Sequence, residues 1–471
     1  PPRSTPSNSS AASDVYKRQL LENCISRFKE GYVEMRGQSR RVFSVTVKDG
    51  QVERIICGLN KGACSRILIN GSWGFSSTTI IDKKNLLRLL KDSESLAKSS
   101  KPVKRRSVNI APVKPYIDNY ETSMKKDPRR EDLEVLVEDV LETDKEVHSY
   151  SRNVASTSIS LSVVDDELYF ANSDGARIKQ RIVRCFGGAS VIAKSNGKIA
   201  STYESIGGQM GLEVFEETPI REAALEAAKR AVRIVPKRVV PGGHYNVVLE
   251  NKIVGLLAHE AVGHTAEADL VYGGSFLSNK VGQKIASEMI TLIDDGLYPS
   301  GFGTMKYDDE GTPTERTIII DRGVVKGFMH SRETARQFGV PPTGNARAWS
   351  FEYDPIIRMR NTYIEPRDQT LEELIEEVKE GYLLRGGGGG QADFNGEFMF
   401  TIQEAVKIEN GDLKESYRGA AISGNAFEVL NKVKGVGKDF GMLVGICGKE
   451  QPNYVGIGGP SLITELLVGG S

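Results

Sequence analysis

The sequence predicts an α+β fold of two domains, an N-terminal α+β domain over residues 20–235 and a C-terminal, largely antiparallel β domain over residues 236–471. The chain has 471 residues, of which 39% are hydrophobic and 26% charged, which is ordinary globular composition and enough for two hydrophobic cores. Short β-rich runs bounded by turn residues recur along both halves, whereas helical patterns are few. An amphipathic segment at about 219–234, ended by Pro236, is predicted to join the two domains.

Hairpins and helices alternate in the predicted N-terminal domain. Asp49-Gly50 and Asn70-Gly71 each stand between two β-rich runs, an arrangement typical of a two-residue hairpin turn. Residues 158–163 alternate polar and apolar side chains and predict a strand. The other helical patterns of this half lie at about 20–28, 83–98 and 130–147.

The predicted C-terminal domain opens with a strand at 245–249 that leads into an apolar helix. Arg322-Gly323 and Asn410-Gly411 signal further hairpins. The rest of this half is therefore expected to be mainly antiparallel strands with a few helices.

Residues 1–19 are rich in Ser, Pro and Ala and carry no apolar pattern. This leader looks like translated adaptor sequence rather than native protein, and we expect it to be disordered. The fold predictions therefore start at residue 20.

Charge, hydropathy and cysteine content limit the functional class. The 62 basic and 62 acidic residues balance, which argues against a general attraction to nucleic acid or to an anionic membrane. No apolar run approaches the roughly 18 residues that a membrane span needs. The five cysteines are odd in number and form no C-x-x-C pair, so no disulfide framework is indicated. We expect a cytoplasmic protein.

The most informative run is His259-Glu260 followed by His264, preceded by an apolar stretch. Two imidazoles beside a glutamate suit a divalent metal that binds water next to a base. Positions five apart lie about 140° apart around a regular α-helix, so the two imidazoles would diverge. A π-type turn would bring them together, and Gly263 marks its expected position. The site therefore predicts a bulged or kinked metal-binding helix in the C-terminal domain.

Two acidic residues after His264 are further candidates. Glu267 follows three residues later and shares its helical face, where it either ligates the metal or orients a histidine through a hydrogen bond, and the second role is favoured. Asp269 either does the same or is a solvated carboxylate at a helix end. The alternative for the whole run is a pair of histidines that pack in the protein interior and bind no metal.

Three groups of residues resemble the TldD/PmbA family. They are the block 259–269, the segment 344–347 leading to 360–363, and the segment 447–450 with 456–460. They occur in the family's order, and the resemblance covers nearly the whole chain from about residue 21. Within the family the chain resembles the TldD branch, because the PmbA (TldE) branch typically lacks the histidine-glutamate block that is intact here.

The resemblance implies a zinc-dependent metallopeptidase that hydrolyses short or unfolded peptides and trims peptide precursors. It implies one Zn²⁺ per chain held by His259, His264 and Cys447, with Glu260 as the general base. Two imidazoles and a thiolate leave a fourth position for water and favour zinc over magnesium or calcium. The assignment of Cys447 as a ligand rests on the family motif alone. The family further implies a heterodimer with a TldE/PmbA-like subunit, and a homodimer is the alternative.

Weaker expectations concern the contacts with a peptide substrate. The five glycines at 386–390 lack the Lys-Ser/Thr of a phosphate-binding loop. They are expected to form either a mobile linker or a loop near the site, where Gly388 and Gly389 let a peptide backbone approach. Arg360 is a candidate clamp for a peptide carboxylate, with a surface ion pair as the alternative. Asn345 is a candidate only through its place in the family-like segment.

Three functions stay open at this point. The leading one is a zinc peptidase acting on peptide substrates. A hydrolase of a non-peptide amide would use the same ligands, and a panel of substrates separates the two. A non-catalytic binding or modulator protein is the third, and an intact Glu260 argues against it, because a purely structural metal site needs no general base.

Overall fold

Seven strands between residues 32 and 208 form one sheet in the computed structural model, which describes residues 19–100 and 107–469. The strands are β1 (Tyr32–Lys48), β2 (Gln51–Ile69), β3 (Ser72–Thr78), β4 (Ile117–Glu121), β5 (Val154–Asn172), β6 (Arg177–Ser195) and β7 (Lys198–Gly208). Their order is β3-β2-β1-β5-β6-β4, and β7 also pairs with β6. The expected leader lies outside the described residues except for Gln19, which begins the short helix α1 (19–25).

Both hairpin turns predicted for this sheet are confirmed. Asp49 and Gly50 join β1 to β2, and Asn70 and Gly71 join β2 to β3. All four residues have positive φ, at 49°, 82°, 49° and 74° in chain order. Positive φ at both central residues defines the turn type that matches the twist of paired strands, which is why Asn or Asp followed by Gly predicts it.

The helices of this half pack on the sheet, and all the predicted ones are present. Besides α1 they are α2 (Lys83–Ser100), α3 (Val135–Ser149), α4 (Val214–Glu217) and α5 (Ile220–Ile234), of which only the short α4 was not predicted. α2 packs on β2 and β3, whereas α3 and α5 pack on the part of the sheet around β5 and β6. The buried face of α5 consists largely of alanine, namely Ala224, Ala227, Ala228 and Ala231. Side chains of that size let a helix lie close to the strands beneath it.

The C-terminal half is built mainly from strands. They are β8 (Gly243–Leu249), β9 (Leu292–Asp295), β10 (Arg316–Asp321), β11 (Val324–Val325), β12 (Ala346–Arg347), β13 (Ile356–Ile357), β14 (Asn361–Ile364), β15 (Glu380–Ala392), β16 (Glu397–Glu409), β17 (Asp412–Asn425), β18 (Gly435–Val436), β19 (Gly441–Cys447), β20 (Asn453–Gly459) and β21 (Leu462–Gly469). The α-helices are α6 (Asn251–Leu256), α7 (Ala268–Tyr272), α8 (Arg332–Phe338), α9 (Leu371–Val378) and α10 (Ala426–Asn431).

Twelve of these strands form two six-stranded sheets, and β12 and β13 pair separately as a two-stranded sheet. One has the order β17-β16-β15-β8-β21-β18, and an extra pairing of β17 with β21 closes five of its strands into a ring. The other has the order β11-β10-β9-β14-β20-β19. Most neighbours are antiparallel, as predicted, but β8 with β15 and β14 with β20 are parallel pairs. The predicted α+β class is confirmed. Within the described residues, no helix is long and apolar enough to cross a membrane.

The glycine run is part of a strand, so the expectation of a linker or loop at 386–390 is wrong. These residues lie inside β15 and pair with β16. The pairing register shifts between Gly387 and Gly390, and Gly386 and Gly389 have φ of 68° and 84°. Glycine is needed here for an irregular strand, because left-handed backbone within a ladder is costly for other residues.

The segment that follows β8 carries the histidines. α6 continues directly into a π-helix at Leu257–Gly263 and a 3₁₀ turn at His264–Ala266. α6 contacts β15 of the ring and also β14, β19 and β20 of the second sheet. Its apolar side chains and those of the π-helix are almost fully buried: Ile253, Val254, Leu257, Ala258, Ala261 and Val262. The two C-terminal sheets thus hold the histidine segment between them.

Candidate metal centre

The π-helix solves the spacing problem of the two histidines. The backbone N–H of His264 donates to the carbonyl oxygen of His259, five residues earlier. The ring centroids of these residues are 5.3 Å apart, so both imidazoles point to one region. A Cβ atom on Gly263 would overlap the sulfur of Met359, which explains why no side chain is present there. The predicted bulged helix is confirmed.

Cys447 reaches the same region from the end of β19. Its Sγ lies 3.2 Å from Nε2 of His264, and one ligand atom from each of His259, His264 and Cys447 lies within 4.8 Å of the others. Burial opposes ionisation of the thiol, but the two imidazoles outweigh it and lower the pKa of Cys447 to about 4. Two imidazoles and a thiolate therefore converge on one region.

His259 supplies a test of whether these residues suit a metal. Its side chain is 0% exposed, and neither ring nitrogen has a hydrogen-bond partner among the described residues. A buried polar atom without a partner costs about 1–3 kcal/mol. A cation bound at one ring nitrogen removes part of that cost, so the residues present fit a metal ligand set.

A buried carboxylate fixes the orientation of the second histidine. Oε2 of Glu267 accepts from Nδ1 of His264 at 3.0 Å, which fixes the ring so that Nε2 is the nitrogen that faces Cys447. Lys449 Nζ lies 2.9 Å from the same oxygen. Burial raises the pKa of Glu267, but His264 and Lys449 together lower it to about 2. The carboxylate is therefore ionised and anchored behind the imidazole.

Asp269 reaches the centre only through that lysine. Lys449 Nζ donates to its Oδ2 at 2.7 Å, while the carboxylate side chain remains 37% exposed. Asp269 therefore helps to place Lys449 and orients neither histidine directly. This role is intermediate between the two that were expected, a residue that orients a histidine and a solvated carboxylate.

Glu260 lies at the open side of the centre. Its Oε2 is 3.7 Å from Nε2 of His264 and its Oε1 is 4.0 Å from Nε2 of His259. The side chain is 28% exposed, whereas His259 beside it is fully buried. A carboxylate that faces both imidazoles and solvent can exchange protons with a molecule entering the site.

Sequence reasoning missed Arg358, which holds the chain around Cys447. The side chain is buried, and its guanidinium donates to the carbonyl oxygens of Cys447 at 2.8 Å, of Lys449 at 2.9 Å and of Gln451. The planar fork of arginine donors suits several backbone acceptors at once. No sequence signal marks this role. Lys449 was also missed, although it lies within the family-like segment around Cys447.

Asn345 and Arg360 lie in the protein interior. Asn345 donates to Asp294 Oδ2 at 2.7 Å and to the carbonyl oxygen of Arg358 at 3.0 Å. The guanidinium of Arg360 donates to the carbonyl oxygen of Gly344 at 2.8 and 2.6 Å. Each side chain is only 1% exposed. This placement removes the expected contact with substrate and gives both residues a role in holding the segments next to Arg358.

Gly388 and Gly389 lie on the exposed part of β15. An added Cβ at Gly388 would overlap Oγ1 of Thr401, whereas one at Gly389 would meet nothing. Their contact with a peptide backbone stays a prediction.

Three family models match this chain in order. They describe PmbA/TldA metallopeptidase domain 1 over residues 33–97, the central domain over 126–234 and the C-terminal domain over 242–470. The fold is thus that of a metallopeptidase family, and the chain belongs to the TldD/PmbA family.

Relatives match over almost their whole length. A metalloprotease of Methanocaldococcus jannaschii is 38% identical over 440 residues, which is 93% of this chain and 96% of the relative. A zinc metalloprotease TldD homolog of Saccharolobus solfataricus is 31% identical, covering 88% of this chain and 91% of the relative. A metalloprotease TldD homolog of Haemophilus influenzae is 31% identical, covering 93% of each chain.

Solved structures share the fold at lower identity. TldE from Thermococcus kodakarensis superposes with a TM-score of 0.78 at 20% identity, covering 96% of this chain and 99% of that one. A protein from Thermotoga maritima, named as a candidate modulator of a DNA gyrase, gives 0.79 at 21% identity, covering 97% and 99%. At such identities the likeness shows the fold alone.

Proposed function

We propose that this chain is a zinc-dependent peptidase that hydrolyses short or unfolded peptides, with one zinc ion held by His259, His264 and Cys447. The observation that carries the proposal is the fully buried His259, whose two ring nitrogens lack partners among the described residues while a second imidazole and a thiolate face the same region. Metalloprotease is also the name given to the relatives above.

The chemistry of the donors favours zinc over other ions. A thiolate and two imidazoles are borderline to soft ligands, which suit zinc, whereas magnesium and calcium prefer oxygen. Three protein ligands leave one position free for water or substrate, as in catalytic zinc sites. Zinc also appears in the name of the Saccharolobus solfataricus relative.

The protein groups around the centre supply the proton transfers. When bound, zinc lowers the pKa of water and polarises the carbonyl of the peptide bond. Glu260 takes the proton from the attacking water and delivers it to the leaving amine, since its carboxylate faces both imidazoles and solvent. Glu267 holds the Nδ1 proton of His264 and keeps Nε2 available. No covalent intermediate is needed.

A peptide substrate and a protein partner complete the proposal. We infer that the partner is a TldE/PmbA-like subunit or a second copy of this chain. Hydrolysis of a non-peptide amide would use the same residues, and a panel of peptide and non-peptide amides assayed together distinguishes the two activities.

The proposal is tested by metal content and peptide hydrolysis measured on the same sample. Elemental analysis of the purified chain should give about one zinc per chain. Treatment with a strong chelator should remove both zinc and hydrolysis, and added zinc should restore both. A chain that binds no metal when metal is abundant would instead favour a binding protein.

The Glu267→Gln substitution is expected to weaken zinc binding by about 10–100-fold, the usual effect of removing a charged partner from a ligand histidine. The change removes the anionic acceptor of the His264 Nδ1 proton but leaves all three ligands in place. Competition with a chromogenic chelator measures the affinity. The matched control is Asp269→Asn, which alters Lys449 without touching His264 and should bind zinc almost as tightly as wild type. Equal affinities in wild type and Glu267→Gln would contradict the orienting role.

A further inference from the structure

Part of β2 is an open sheet edge. β1 pairs with one side of β2 along its length, but on the other side β3 pairs only with residues Ala63–Ile69. Within the described residues, no strand lies beside the other side of residues 51–62. Residues 51–61 are all exposed. An open edge of this length presents a row of unpaired backbone donors and acceptors to other chains.

This edge exposes apolar side chains to solvent. Four large apolar side chains on it are strongly exposed, namely Val52 at 40%, Ile55 at 51%, Ile56 at 41% and Leu59 at 56%. A groove of about 440 Å³ opens beside it, lined in part by Phe43, Cys57, Leu59, Leu133 and Val163. Exposed apolar patches next to an unpaired edge are typical of contact surfaces with another protein.

We propose that this edge pairs in antiparallel fashion with the same edge of a second copy of the chain, around a two-fold axis at Cys57. In such a pairing, residues at equal distances from the axis oppose one another. With the axis at Cys57, Glu53 opposes Lys61 and Ile55 opposes Leu59, and symmetry produces each pair twice. Opposite charges and apolar side chains are the cross-strand partners that stabilise a sheet.

Neighbouring registers lose this match. With the axis at Ile56, Glu53 would oppose Leu59. With the axis at Gly58, Ile55 would oppose Lys61. Each shift sets charged side chains against apolar ones, so the sequence of the edge favours one register. The free part of β2 is also centred close to Cys57, so this register uses nearly all of it.

The same register would cover the groove. Cys57 pairs with Phe43 of β1, and Phe43 pairs with Val163 of β5, so these three side chains share one face of the sheet. Ile55 and Leu59 lie on that face as well. Added strands of a second copy would set their own Ile55 and Leu59 next to the groove. Within one chain, Oε1 of Glu53 lies 3.9 Å from Nζ of Lys48, but both side chains are about half exposed. An ion pair this exposed contributes little to stability.

Charge reversal gives a direct test, with the full chain studied by sedimentation velocity over a range of concentrations. Wild type should be dimeric at micromolar concentration. Glu53→Lys and Lys61→Glu should each raise the dissociation constant about tenfold or more, because each creates two like-charge pairs. The double variant Glu53→Lys/Lys61→Glu should restore the dimer. A double variant whose dissociation constant is as high as those of the single variants overturns the register. A monomeric wild type overturns the proposal, also where a TldE-like subunit pairs with this edge instead.

A disulfide at the axis provides an independent measurement. Directly opposed residues of antiparallel strands have Cα atoms about 4.5–5.5 Å apart, a separation that a disulfide spans. Each Cys57 thiol would lose one proton to solvent and one electron to the copper(II)-phenanthroline oxidant, and the two sulfurs would form the S–S bond. The other four cysteines are buried, so wild type should form a covalent dimer that Cys57→Ser abolishes and Glu53→Lys diminishes. Equal cross-linking in wild type and Glu53→Lys would contradict the pairing. The proposal takes the second copy as the partner named under the proposed function, but neither readout involves zinc or hydrolysis, so its failure would leave the proposed metal site and activity untouched.

Discussion

The Glu260→Gln variant is expected to contain as much zinc as wild type and to hydrolyse peptides about 10²–10⁴-fold more slowly, the usual contribution of a general acid–base group. The amide keeps the shape of the side chain but cannot take a proton from water. Glu260 is no member of the converging ligand set, so metal binding should not change. Zinc content and kcat/KM of a fluorogenic peptide are measured on the same preparation.

The experiment has a matched control and two outcomes that would contradict the proposed mechanism. Glu288→Gln is the matched control, because Glu288 is an exposed glutamate of the same half, and it should retain wild-type hydrolysis. Full hydrolysis by Glu260→Gln with normal zinc would remove Glu260 from the mechanism. Full biological activity without any hydrolysis would favour a binding protein instead.

The Cys447→Ser variant should lose most of its zinc and, with it, nearly all hydrolysis. A serine hydroxyl is a poor substitute for a thiolate, whose pKa of about 4 keeps the sulfur charged beside the two imidazoles. The loss in affinity should exceed the roughly 100-fold seen when only an outer partner of a ligand is removed. Arg358 contacts the carbonyl oxygen of residue 447 and not its side chain, so the fold around the site should persist.

Chelator competition and elemental analysis measure this effect. Cys57→Ser is the control, since Cys57 is exposed and far along the sequence from the centre, and it should keep full zinc. Zinc retained at wild-type level in Cys447→Ser would transfer the role of third ligand to Glu267. Circular dichroism of both variants distinguishes loss of metal from loss of fold.

Local patterns carried most of what could be predicted. Asp-Gly and Asn-Gly pairs fix a turn through the backbone freedom of two adjacent residues, so the sequence reveals it directly. The π-helix followed from one geometric requirement, that side chains of His259 and His264 must meet. The predicted boundary near residue 235 divides the chain into two domains with separate hydrophobic cores, and it stays a prediction.

Contacts between residues distant in sequence were harder to predict. Arg358 and Lys449 act on groups distant in sequence, and a buried arginine that binds backbone carbonyls has no periodicity to reveal it. Arg360 was expected to clamp a peptide carboxylate or to form a surface ion pair, and Asn345 was a candidate only through its place in the family-like segment. Both are buried, because backbone carbonyls and Asp294 accept from their polar groups. The glycines of β15 were expected in a loop because glycine is rare in strands, and an irregular ladder overrode that tendency.

The π-helix contains one residue more than an α-helix joining the same two ends would need. Deleting Val262 would produce the His-Glu-x-x-His spacing, at which two histidines share one face of an ordinary helix. Because an α-helix of one residue fewer would join the same two ends, this deletion would change the backbone only between the histidines. Ile253 and Val254, now fully buried, would stay in the core. The packing of α6 therefore does not require the extra residue, and its consequence is confined to the positions of the two imidazoles and Glu260.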